Sequence, residues 1–129
     1  MKHVTILDAN AILRYILDDV PEQADKVEEV LRAESIVILP EVVAEVVYIL
    51  NKLHGISREK TSEYILVFLG EVECRDANIL KSLDYFGKHA LDFVDCLLLS
   101  YAANYKIFTF DKKLLKALEK TGKRSEHEA

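Results

Sequence analysis

HVTILDANAILRYIL, residues 3–17, decides how this chain is read. Its opening, His3 to Leu7, is a short run of β-branched and apolar residues, which suits a buried strand. Asp8 breaks the run. From there Ile12, Leu13 and Ile16 share one helical stripe as far as Leu17. A strand that passes straight into a helix is the opening of a β-α-β unit, and the rest of the chain can be tested for its continuation.

The same alternation recurs outward from this stretch. Pro21 starts a second helix, Glu22–Ala33, because proline is well placed in a first helical turn. Ser35–Leu39 reads as a second strand that Pro40 ends. Glu41–Leu53 is too long for a typical strand and reads as helix despite its valines. Gly55 closes it, and Ser57, Lys60 and Thr61 open another helix that runs to about Gly70. Glu71–Arg75 is expected to be a third strand and Asp76–Lys88 an amphipathic helix. Asp92–Asn104 is apolar almost all round, so it is expected to be central and buried. Lys106–Phe110 reads as a fourth strand and Asp111–Lys120 as a last amphipathic helix. Strands alternating with helices predict an α/β fold, a three-layer α/β/α arrangement around a central parallel sheet of four to five strands. One domain over residues 1–121 accounts for all of it, and the polar stretch GKRSEHEA, 122–129, is expected to fray.

Composition narrows the class. The chain has 129 residues, half of them hydrophobic and 30% charged, the profile of one soluble globular domain. The apolar stretch of MKHVTILDAN is too short for a signal peptide. The longest apolar region, Ile36 to Leu50, is broken by Pro40, Glu41 and Glu45, so no membrane span is expected. Cys74 and Cys96 lie far apart without metal-ligand spacing and read as reduced thiols in a cytoplasmic protein. The net charge of −5 argues against a nucleic-acid partner. It is unevenly spread, however: Lys106 to Arg124 holds seven Lys or Arg against Asp111 and Glu119. That segment suits an RNA track or a solvated helix face, and on charge alone the solvated face is favoured.

Carboxylates gather where an α/β sheet places its ligands, beyond the carboxyl ends of the strands. Asp8 follows the first expected strand and Asp111 the fourth. Asp92 and Asp95 open the most apolar helix, and Glu45 interrupts VVAEVVYIL. Each has a structural alternative. Asp8 and Asp111 suit helix N-caps, Asp92 and Asp95 have capping-box spacing, and Glu45 shares a stripe with Glu41, Tyr48 and Lys52 that would face water. Converging carboxylates repel unless a cation sits among them. An oxygen-only set suits Mg²⁺ or Mn²⁺ and not zinc. His3, His54, His89 and His127 are scattered, and there is no glycine-rich phosphate loop or Gly-x-Ser-x-Gly elbow. Phosphodiester hydrolysis by an activated water leads among reactions on such sites.

These segments also form a recognisable set. ILDANAILR (Ile6 to Arg14), Glu45 in its apolar helix, LDFVDCLLLSYA (Leu91 to Ala102) and IFTFDKKL (Ile107 to Leu114) together resemble the PIN-domain family. Within it they look most like the VapC-type toxin ribonucleases of prokaryotic toxin–antitoxin pairs. The resemblance implies a Mg²⁺- or Mn²⁺-dependent endoribonuclease. Asp8, Glu45, Asp95 and Asp111 would be its acidic tetrad, with Asp92 a fifth acid and Asp8, Asp95 and Asp111 the metal ligands. Asn10 would brace Asp8, Thr109 would hydrogen-bond within the site, and Arg14 would pair with an acid or touch substrate phosphate. It further implies RNA as substrate, a homodimer, and a small antitoxin protein as partner. Leu13, Ile16 and Leu17, with Val27 and Leu31, are expected to supply the apolar surface for these contacts. One departure is that no apolar run after Leu118 supplies the fifth strand with which many members close.

Other classes fit less well. A phosphoacceptor receiver domain needs paired acids after its first strand, and a haloacid-dehalogenase-like phosphatase needs Asp-x-Asp there. This chain has Asp8-Ala9-Asn10. A PIN-like RNA-processing nuclease that is not a toxin, or a catalytically silent binding or signalling module, remain as alternatives. The presence of all four tetrad acids favours catalysis.

Overall fold

The computed structural model describes residues 3–122. The chain divides into two compact units, with the boundary between Arg75 and Asp76.

The first unit opens with β1 (Val4–Ile6), followed by α1 (Ala9–Leu17) and α2 (Pro21–Ala33). These return the chain to β2 (Ser35–Val37), which pairs with β1 in parallel, Val4 opposite Ser35 and Ile6 opposite Val37. Thr5 at the centre of β1 donates its hydroxyl to the Glu34 carboxylate just before β2. α3 (Pro40–Tyr48) then runs on into a π-helical turn, Ile49–Leu53, so the expected single helix over 41–53 changes pitch after Tyr48. The wider turn keeps Leu50 fully buried and lets Asn51 donate to the Ile56 carbonyl at 2.8 Å. Gly55 follows with φ +67°, a conformation only glycine adopts at little cost. α4 (Arg58–Glu71) completes the unit, capped by Ser57. α1 packs on α2, α3 and α4, and Ile12, Leu13, Val43, Val46, Phe68 and Leu69 are buried.

The second unit is helical. α5 (Ala77–Lys88) lies against α6 (Phe93–Tyr101), which also contacts α7 (Lys112–Lys120). Ile79, Leu83, Phe86, Cys96, Leu99 and Leu118 are buried. Both cysteines are free thiols, Cys96 buried and Cys74 half-buried.

The elements agree with an α/β chain that is mostly helical, but the sheet is smaller than expected. Among the described residues it has two strands, not four to five. The expected strand over Glu71–Arg75 is instead the closure of α4. There the Cys74 amide donates to the Leu69 carbonyl at 2.9 Å and the Glu73 amide to Gly70 at 3.2 Å, with Glu73 left-handed at φ 56°. This is the Schellman arrangement, which uses up the backbone groups that a ladder would need. The expected strand over Lys106–Phe110 forms only an isolated bridge at Ile107. Ile107 is buried, whereas Phe108 and Phe110 are 64% and 73% exposed with their rings 5.5 Å apart. α6 is also less enclosed than its composition suggests, since Val94 is exposed and Leu97 and Leu98 are half-buried. No helix among the described residues is long and apolar enough to cross a membrane. Of the expected polar tail, residues 123–129 lie outside the described residues.

Candidate active site

In the second unit two aspartates at the starts of helices, Asp92 and Asp111, bear on a third, Asp95. Asp92 is the N-cap of α6, and its Oδ1 accepts from the Asp95 amide at 2.9 Å. Asp95 therefore stands in the first turn of α6 with its own carboxylate uncommitted to the cap. Asp111 is the N-cap of α7, where its Oδ1 accepts from the Leu114 amide at 2.9 Å. The Asp111 amide in turn donates to the Thr109 hydroxyl at 3.0 Å, which ties the turn before α7 to the cap. Asp95 is half-buried, and its carboxyl is pushed above the ordinary aspartate range. Burial contributes most, followed by the negative charges of Asp92 and then Asp111. The fold thus places Asp111 within electrostatic reach of Asp95, sixteen residues away in sequence.

In the first unit Asp8 is the N-cap of α1, extended at φ −83° and ψ 174°, and its Oδ1 accepts from the Ala11 amide at 2.8 Å. Asn10 is exposed and makes no hydrogen bond to Asp8 among the described residues. Glu45 is exposed on α3, on the side opposite the buried Val43, Val46 and Val47 and in line with exposed Glu41 and Tyr48. Arg14 pairs with Asp19 at 3.1 Å, while its Nε is buried without a partner. The ion pair ties the Arg14 side chain to Asp19, the residue after the left-handed Asp18 cap of α1.

Capping and ligation therefore do not exclude one another here. Asp8, Asp92 and Asp111 each use Oδ1 for the cap, and among the described residues no hydrogen bond engages Oδ2. An N-cap orients the side chain by its backbone bond and leaves one oxygen for a second partner.

No group of three or more His, Cys, Asp or Glu among the described residues is gathered closely enough to hold a metal ion as it stands. The donor chemistry of the second unit nonetheless fits a hard divalent cation. Its acids are carboxylates alone, Asp95 is half-buried, and the like charges of Asp92 and Asp111 oppose its ionisation. A positive ion would offset all three penalties.

The sequence did not single out a cleft of about 610 Å³ in the first unit, formed by α1, α2 and α4. Tyr15, Ile16, Ala24, Val67 and Phe68 supply its apolar lining, and the Tyr15 hydroxyl donates to Glu71 at 2.6 Å. That bond, with burial and the Glu71 charge, raises the Tyr15 pKa to about 12. The signal for it in the sequence is faint, because Tyr64 and Val67 are exposed apolar residues one turn apart on a helix with little amphipathic contrast.

The PIN-domain model matches residues 5–120, nearly the whole chain, and the chain belongs to the PIN-domain family. PIN domains are generally divalent-metal-dependent nucleases. No curated protein and no solved structure shows a significant match to the chain.

Proposed function

We propose that this PIN domain is a Mg²⁺- or Mn²⁺-dependent endoribonuclease and the VapC-like toxin of a toxin–antitoxin pair. The observation that carries the nuclease reading is Asp95, half-buried and pressed by Asp92 and Asp111. These three carboxylates would hold the ion, using the Oδ2 atoms that the caps leave open. The ion would polarise a phosphodiester and lower the pKa of a water. Water adds to phosphorus, and the bond to the leaving sugar oxygen breaks. Asp8 and Glu45 are proposed to serve the same reaction on the sequence pattern alone, with Asn10 and Thr109 as supports. For Arg14 the Asp19 pair favours an anchoring role over substrate contact.

The partner reading draws on the cleft of the first unit. Its apolar lining lies beside Asp18, Asp25, Glu28, Glu63 and Glu71, with no lysine or arginine among its lining residues. Such a surface suits a basic amphipathic segment of a small antitoxin. Of the residues expected to supply apolar contact, Leu13 is buried in the unit, which leaves half-buried Ile16, Leu17, Val27 and Leu31 for the antitoxin or for a homodimer. An RNA-processing role without an antitoxin and a silent binding module are the alternatives.

The test is cleavage of single-stranded RNA by the purified chain with added Mg²⁺ or Mn²⁺. Cleavage should stop on chelation. Undiminished cleavage in excess EDTA would overturn the mechanism.

A further inference from the structure

The second unit holds a concavity of about 260 Å³ that none of the proposed catalytic acids lines. On one side stand His89, Ala90 and Leu91, the turn between α5 and α6. On the other stand Lys113, Lys116 and Lys120 of α7. The three lysines recur at intervals of three and four, so they lie along one face of the helix. The opposite requirement, the buried seam of α7, falls to Leu114, Ala117 and Leu118.

Three observations set this face apart from an ordinary solvated helix. First, none of the three lysines has a carboxylate within ion-pair distance among the described residues, whereas Lys60 and Lys88 are paired with Glu63 and Asp84. Secondly, the lysines line a hollow with a histidine, instead of radiating from a convex surface. Thirdly, charge is segregated. Through Arg75 the chain has eight Lys or Arg against fourteen Asp or Glu, and beyond it nine against eight. Three lysines along one helix, without an ion pair among the described residues, would be an odd outcome in so acidic a chain if only solubility were served.

We infer that the hollow formed by His89 and by Lys113, Lys116 and Lys120 is a phosphate-backbone subsite for single-stranded RNA. The seven steps from Lys113 to Lys120 span about 10 Å of helix at ~1.5 Å per residue, long enough to lie along more than one phosphate. The two segments that build the hollow also carry the candidate acids, since Leu91 precedes Asp92 and Lys113 follows Asp111 by two residues. A strand held there by its backbone would therefore run past the cap positions of α6 and α7. Lysine suits this work because a flexible point charge holds phosphate without reading bases. The inference rests on the nuclease reading for its choice of RNA, but binding and cleavage separate the two.

The test uses the full chain and a dye-labelled single-stranded RNA oligonucleotide in EDTA, so that affinity is read without cleavage. Each phosphate contact on a single strand contributes ~0.7 to the salt slope of binding. Replacing Lys113, Lys116 and Lys120 together with alanine should lower that slope by about 2 and weaken binding at low salt about tenfold or more. All three side chains are exposed, so circular dichroism and the melting temperature should be unchanged. A control that removes the same charge elsewhere, Lys26, Lys52 and Lys81 to alanine, should leave the slope in place. An unaltered slope in the α7 variant, or an equal loss in the control, overturns the subsite. So does binding to anionic lipid vesicles or polyglutamate through these lysines without binding to RNA. Lysine-dependent RNA binding by a chain that never cleaves would uphold the subsite and sink the nuclease reading. Cleavage with unchanged binding in the α7 variant would do the reverse.

Discussion

Replacing Asp95 with asparagine separates its charge from its place in the fold. The cap of α6 is made by Asp92 on the Asp95 amide, and the Asp95 side chain makes no hydrogen bond among the described residues, so the substitution removes a charge and little else. The folded chain raises the Asp95 pKa, chiefly by burial and then through Asp92 and Asp111. Stability linked to this group is therefore full at acid pH, below the ordinary aspartate range, and is lost as pH rises through the raised value. Asp95→Asn removes that loss. The metal-free variant should melt at or above the wild type at neutral pH, and the difference should close in acid. With Mn²⁺ at a hundred times its Kd the wild type gains about 2.7 kcal/mol by linkage. For a chain of this size that is a rise of about 10 °C in Tm. If the lost ligand weakens Mn²⁺ binding a hundredfold, the gain falls to about 0.4 kcal/mol, or about 2 °C. RNA cleavage should fall at least about a hundredfold, which corresponds to ~2.7 kcal/mol of transition-state stabilisation. Differential scanning calorimetry with and without Mn²⁺, beside a cleavage assay, reads all of this. Full activity with an undiminished Mn²⁺ shift in Asp95→Asn would refute the reasoning.

Other outcomes follow from the same geometry. Asp111→Asn keeps an Oδ1 for the Leu114 amide, so thermal melting should change little while cleavage falls; Asp111→Ala should lose activity and about 1 kcal/mol of stability as well. Asp8→Asn should likewise keep the α1 cap and lose cleavage, and full activity there would exclude Asp8 from the reaction. Ultraviolet titration should place the Tyr15 phenol near 12, and Glu71→Ala should bring it back toward 10. The stability this bond contributes is full below the ordinary tyrosine range and is lost as pH rises through about 12. Light scattering should show a homodimer at micromolar concentration, and a monomer would count against the proposed assembly.

Local chemistry made much of this chain legible before any tertiary contact was known. The seven α-helices among the described residues stand close to where periodicity, Pro21, Pro40 and the aspartate caps put them, because helix starts depend on residues within one turn. The same locality made Asp8, Asp92 and Asp111 conspicuous, and it also left their capping and ligand readings undivided. Only geometry showed that a cap occupies a single carboxylate oxygen.

Strands were another matter. VECR and KIFTF have the composition of strands, yet a ladder needs a partner at the right register, and a lone segment cannot specify one. The helix closure at Glu73 outcompeted pairing in the first, and the second shows its phenylalanines to solvent with one bridge at Ile107. Asp95 is the clearest case of what folding added. Its residue type and position were plain in LDFVDCLLLSYA, but its raised pKa comes from burial and from Asp111, which lies on another helix. Lys113, Lys116 and Lys120 of α7 came to line a hollow with His89 only when α5, α6 and α7 packed together. Sequence determined where charges sit along the chain, whereas desolvation and through-space charge, which set their chemistry, arise only from contacts between distant residues.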